Sequence, residues 1–173
     1  MTIVITDSTI LILLVKIDLF DSLIEKFHDV VIPAEVFEEI VISGRKAKKE
    51  DAFFIEQRVK KNIIQVKNVE DIKKRDKIMD DFGLHKGEAE CITLFFEISA
   101  DILGSDDKKT ITVCKILQIP FFSVVSFILL NVREKSLTKS RALMKLDKLT
   151  KIGWYKSTFL DGIREKINNL EVS

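Results

Sequence analysis

Short apolar runs and helical patterns take turns along this chain, and that alternation limits its possible folds more than any other feature. The runs fall at residues 2–6, 30–32, 63–66, 101–105 and 119–124. Runs this brief, flanked by helix-length segments, suit strands buried on both faces of a sheet and covered by helices. Right-handed crossovers would then bring every strand's C-terminal end to one edge, where ligands bind in such sheets. The expected architecture is α/β, a three-layer α/β/α sandwich with a short, mostly parallel central sheet.

Between the runs, Pro33 opens a helix that is expected to stop at Ser43-Gly44, since Pro suits a first helical turn and Gly a helix end. Amphipathic segments follow over residues 47–59 and 69–81. Gly83 and Gly87 are expected to break the chain before a buried helix starting at Glu88. Further helices are expected over residues 108–117, from 126, over 138–150 and from 158, with Gly153-Trp154-Tyr155 turning into a last short strand. A chain of 173 residues, 46% hydrophobic, can bury one full core. Residues 1–173 therefore read as one domain, with the part from residue 138 onward as a C-terminal helical extension.

Charge narrows the function classes. Net charge is +1, from 28 basic and 27 acidic residues, so any nucleic-acid footprint has to be local. Basic clusters do occur at residues 45–49 and 73–77, where solvated helix faces are the simpler reading. The two cysteines, Cys91 and Cys114, sit in apolar helical patterns and read as reduced core residues. His28 and His85 are isolated from any metal-ligand spacing, and a surface role suits His85. Residues 10–15 are too short for a secretory leader, and residues 121–132 stop short of a membrane span. A cytoplasmic protein without a membrane partner is expected.

Five carboxylates stand where strands or loops hand over to helices: Asp7, Glu39, Glu88, Asp106 and Asp107. Crowded carboxylates resist ionising together, so a fold that gathers them usually does so around a divalent cation. Mg²⁺ or Mn²⁺ suits such hard oxygen ligands. Each residue also has a plainer possible role. Asp7 could cap a helix, Glu39 could be a surface residue, Glu88 could favour a helix dipole, and either Asp106 or Asp107 could be a cap.

Four segments carry a family resemblance. Ile3-Val4-Ile5-Thr6-Asp7-Ser8-Thr9, Val31 through Ile40, Gly87-Glu88-Ala89-Glu90-Cys91-Ile92 and Ala100 through Lys109 resemble, in order, the acidic motifs of PIN-domain nucleases. The third is similar to a subgroup with a Gly-Glu-Ala-Glu motif. The resemblance implies a PIN-like sandwich and a metal-dependent endoribonuclease hydrolysing RNA phosphodiester bonds, often the VapC-like toxin of a toxin–antitoxin pair. It matches Asp7, Glu39 and Glu88 to the first three carboxylates, Asp106 and Asp107 to the fourth position, and Ser8 and Ser105 to small hydroxyl positions. Three features depart from the family pattern: Glu88 in place of the commoner Asp, the missing basic residue a few positions after the fourth motif, where Thr110 and Thr112 stand, and a Gly-poor stretch at residues 123–126.

Two other functions compete: a PIN-like nucleic-acid-binding module without turnover, and a phosphoacceptor receiver domain. The receiver would need a lysine after the fifth strand, which Phe121-Phe122-Ser123-Val124 lacks. Expected partners are an RNA substrate, a second copy forming a homodimer, and an antitoxin. Phe53-Phe54 and Ile128-Leu129-Leu130 are expected to supply apolar surface for the two protein partners.

Overall fold

The computed structural model describes residues 2–170; the expected domain limits at 1 and 173 lie outside them. Five parallel strands form one sheet in the order β3-β2-β1-β4-β5, with β1 Ile3–Thr6, β2 Asp29–Pro33, β3 Ile64–Lys67, β4 Ile102–Gly104 and β5 Phe121–Phe122. The pairing registers are set by Val4 opposite Val30 and Ile102, Val31 opposite Gln65, and Leu103 opposite Phe121. Val4, Ile5, Val30, Val31, Ile32 and Leu103 are all at most 1% exposed, as a sheet covered on both faces requires. The three-layer α/β/α sandwich is therefore present, with a fully parallel sheet. Receiver sheets place their third strand beside the first; here β3 is the edge strand, with three of its four residues exposed.

The chain leaves β1 in the middle of the sheet, steps to β2 and β3 on one side, then crosses back to β4 and β5 on the other. That reversal makes the C-terminal ends of β1 and β4 a topological switch point, where a crevice opens between diverging connections. The helices α1 Ser8–Lys16, α7 Lys86–Glu97 and α8 Lys108–Ile116 all start at this edge or close to it. The remaining cover comes from α2 Phe20–Lys26, α3 Ala34–Phe37, α4 Gly44–Lys46, α5 Glu50–Lys60, α6 Ile72–Phe82, α9 Val124–Arg133, α10 Lys139–Ile152 and α11 Ser157–Asn169. Phe27 stacks on both Phe122 of β5 and Phe127 of α9, and Cys91 and Cys114 are buried free thiols. No described helix is long and apolar enough to cross a membrane.

Several local expectations change. The helix after Pro33 does not stop at Gly44: six π-helical residues, Glu38–Ser43, join α3 to α4 without a break. Gly44 keeps right-handed helical backbone, φ −66°, and its role is a close approach. A Cβ there would lie 2.7 Å from the Ala52 Cβ on α5. Helix α7 starts at Lys86 and takes Gly87 inside it, because His85 and not Gly87 is the cap. The fifth strand shrinks to Phe121–Phe122, and Ser123 already caps α9. No strand follows Gly153 among the described residues; α10 ends there and α11 begins at Ser157. Ile128 is fully buried, so that part of the expected apolar surface belongs to the core.

Candidate active site at the switch point

Asp7 is the first residue past β1 and sits only 4% exposed. Its Oδ1 accepts the Ile10 amide at 2.9 Å, capping α1, so the plain capping role is real. Its Oδ2 accepts the Ser105 hydroxyl at 2.5 Å, across the switch point from β4. Ser105 Oγ in turn accepts the Asp107 amide at 3.1 Å. One buried hydroxyl thus ties the ends of β1 and β4 together. Burial pushes the Asp7 carboxyl up to about 7; the Ile10 and Ser105 hydrogen bonds pull down, and the charges of Asp106 and Asp107 add to the rise.

Glu39 lies in the π-helical stretch, and its carboxylate reaches Gly87 on α7. Its residue surface is largely open, but sheltering of the carboxylate raises its pKa; the Ser8 hydroxyl and His85 pull it down, and Glu35 and Glu88 push it up. Gly87 explains the fit. A Cβ at that position would stand 2.9 Å from Glu39 Oε1, so a bare backbone is needed for the carboxylate to lie there. Glu88 Oε2 accepts the His85 amide at 2.9 Å in a reciprocal capping arrangement at the start of α7.

Asp7, Ser8, Thr9, Val36, Glu39, His85, Gly87 and Glu88 line one cavity of about 120 Å³. Three of the five expected carboxylates therefore share a hollow, together with Ser8. Asp106 and Asp107 do not line it; they act on Asp7 through their charge. Asp106 Oδ2 accepts the Val124 amide at 2.9 Å, and its Oδ1 accepts the Tyr155 hydroxyl. Burial raises the Asp106 pKa and these two bonds oppose the rise. Asp107 Oδ1 accepts the Thr110 amide at 2.8 Å and caps α8, leaving Oδ2 without a hydrogen bond among the described residues. His85, expected at the surface, is exposed and yet borders the cavity. Its closeness to Glu88 in the chain was the signal that it could touch the site. Tyr155 lies 49 residues from Asp106 along the chain, and no motif pointed to it.

Other acids near the site have partners of their own. Glu90 accepts the Glu35 amide at 3.1 Å and faces Arg75, while Lys86 pairs with Glu35. Asp101 accepts the Ile3 amide at the opposite end of the sheet. None of Asp7, Glu39, Glu88, Asp106 and Asp107 forms an ion pair with lysine or arginine among the described residues. A concave site with raised carboxyl pKa values and no protein cation has the donor chemistry for a hard divalent ion. Among the described residues, no group of three or more His, Cys, Asp or Glu side chains closes into a metal cage. Mg²⁺ keeps several waters and uses one or two carboxylates plus substrate phosphate oxygens, so it needs no closed protein cage.

A family model described as a PIN domain matches residues 3–169, nearly the whole chain. No curated protein matches the sequence significantly.

Proposed function

Because the chain belongs to the PIN-domain family, a nuclease-type fold, we propose that it is a metal-dependent endoribonuclease of the VapC-like toxin kind. The observation that carries this reading is the hollow shared by Asp7, Glu39 and Glu88, with Asp106 and Asp107 bearing on Asp7 from β4. Asp7, Glu39 and Glu88 would hold Mg²⁺ or Mn²⁺, with Asp107 as the member of the fourth pair that keeps an unoccupied carboxylate oxygen. Asp106 is the positioning member, bound on both oxygens. When bound, the cation would lower the pKa of a coordinated water and offset charge on the phosphate.

The chain's own residues do the rest. Ser105 orients Asp7 and fixes the turn that carries Asp107. The Ile10 amide and the start of α1 hold Asp7 in one rotamer. A carboxyl pushed up to about 7 lets Asp7 hold a proton near neutrality, and Glu39 is shifted in the same direction by its burial, so cation binding displaces protons from this site. The acidic hollow repels a bare phosphodiester, so the cation is required to seat the scissile phosphate there as well as for chemistry.

The test is cleavage of labelled single-stranded RNA. Turnover with Mg²⁺ or Mn²⁺, its loss with EDTA, and its loss in Asp7→Asn are expected; full metal-dependent turnover in that variant would reject the assignment. One observation favours a second reading, a nucleic-acid-binding module without turnover: the absence of a closed cage among the described carboxylates. RNA retained but uncut at saturating Mn²⁺ would select it. A cytoplasmic toxin role, with a homodimer or antitoxin over exposed apolar residues such as Phe53 and Ile116, completes the proposal.

A further inference from the structure

Residues 148–160 form a segment unlike the rest of the molecule. It contains Lys148, Lys151 and Lys156 and no Asp or Glu; Lys148 pairs with Asp18, whereas Lys151 and Lys156 form no ion pair among the described residues. It also holds the sole Trp and the sole Tyr of the chain. In the turn between α10 and α11, Trp154 is 52% exposed, and Phe159 on the first turn of α11 is 49% exposed. The Tyr155 ring stacks on Phe159, with centroids 5.7 Å apart and planes at 23°. Tyr155 is also the residue whose hydroxyl donates to Asp106, and the charge of Asp7 reaches it. Tyr155 and Phe159 are thereby anchored at the margin of the acidic site, and Trp154, the chain neighbour of Tyr155, lies exposed in the same turn.

Exposed rings grouped within a few residues of one another mark a contact surface, and flat rings with lysines beside them in the chain match one occupant well. We propose that Trp154, Tyr155 and Phe159, with Lys151 and Lys156, form a stacking platform for an unpaired nucleobase next to the phosphate bound at the acidic site. The ligand class is single-stranded nucleic acid: bases in a duplex already stack on each other and offer no free face. The lysines supply the positive charge that the catalytic hollow lacks, and contact phosphates flanking the scissile one. The hydrogen bond from Tyr155 to Asp106 sets the distance between platform and hollow, and hence which phosphate is presented. This inference rests on the nuclease reading for the identity of the neighbouring site, but the platform binds without cleavage.

The single Trp makes the platform directly observable. In EDTA, where no cleavage occurs, a short single-stranded RNA is titrated into the full chain while Trp154 fluorescence and the anisotropy of the labelled RNA are followed together. Saturable quenching that tracks anisotropy is expected, with a much weaker response to a duplex of the same sequence. Phe159→Ala is expected to weaken binding roughly tenfold, the scale of one lost base–aromatic stack. Phe159→Tyr keeps the flat ring and is expected to restore affinity. Lys151→Gln and Lys156→Gln are expected to reduce the salt dependence of binding. RNA that binds by anisotropy while Trp154 fluorescence stays unmoved overturns the platform, as does a Phe159→Ala variant of unchanged affinity. A Trp154 signal that depends on protein concentration and not on RNA also overturns it, because a second copy would then be the occupant. Quenching without any turnover under Mn²⁺ would leave the platform standing and remove the nuclease instead.

Discussion

Replacing Asp7 by Asn should make the metal-free protein more stable near neutral pH while abolishing cleavage. Asp7 is 4% exposed, and burial lifts its carboxyl from 3.8 to about 7 in the fold. Its folded pKa lies above its unfolded one, so its favourable contribution is fully present below about pH 4 and is lost as pH rises through about 7. A rise of about 3 units at about 1.4 kcal/mol each sets a ceiling of about 4 kcal/mol on the cost of ionising it. Asn is isosteric and can still cap α1 by accepting the Ile10 amide, but it changes the polarity of the contact with Ser105. Losing or reversing that one bond costs about 1 kcal/mol. The net expectation is a gain of about 1–3 kcal/mol at about pH 8, measured by urea unfolding in EDTA, shrinking toward zero near pH 4. Adding Mn²⁺ should stabilise the wild type and leave Asp7→Asn nearly unchanged. A variant that is less stable than wild type at both pH values would refute the reasoning, because Asp7 would then be a cap whose charge is well satisfied.

Ser105→Ala should cost about 1–3 kcal/mol, since the buried Asp7 oxygen and the Asp107 amide both lose their partner; the loss should be larger at high pH, where Asp7 ionises without help, and urea midpoints across pH check both points. Gly87→Ala should push the Glu39 carboxylate aside, because the new Cβ would stand 2.9 Å from Oε1. Since that oxygen ends a flexible side chain, the unfolding midpoint should move by less than about 1 kcal/mol while cleavage and Mn²⁺ affinity fall about tenfold or more. Tyr155→Phe removes the hydroxyl bound to Asp106 and should shift the cleavage position or lower kcat with little change in thermal midpoint; an unchanged product pattern and rate would show that the contact is only structural.

The fold was legible because parallel sheets require buried runs bounded by helices, and residues 2–6, 30–32 and 101–105 have no other obvious use. The strand-end edge followed from the alternation of strands and helices, which placed Asp7 and the Asp106-Asp107 pair there, whereas Ser105 came only through the family resemblance. What failed was local and had competing causes. Gly44 and Gly87 look like helix breaks but are close-approach positions, a distinction that depends on Ala52 and Glu39, remote in sequence. The π-helical stretch leaves no mark in hydrophobic spacing, although Glu39 lies within it. Asp106 and Asp107 are adjacent and chemically alike. Their division of labour depends on Val124 and Tyr155, which no motif links to them. Ile128 sits in an apolar run that periodicity alone could assign either to surface or to core, and packing of α9 put it inside.

Anomalous diffraction from crystals soaked in Mn²⁺ tests the central claim most directly. A manganese peak in the hollow bordered by Asp7, Glu39 and Glu88, absent in Asp7→Asn crystals, is expected. A protein that cleaves RNA with Mn²⁺ while its manganese sits elsewhere, or a hollow that stays empty at saturating Mn²⁺, would contradict it.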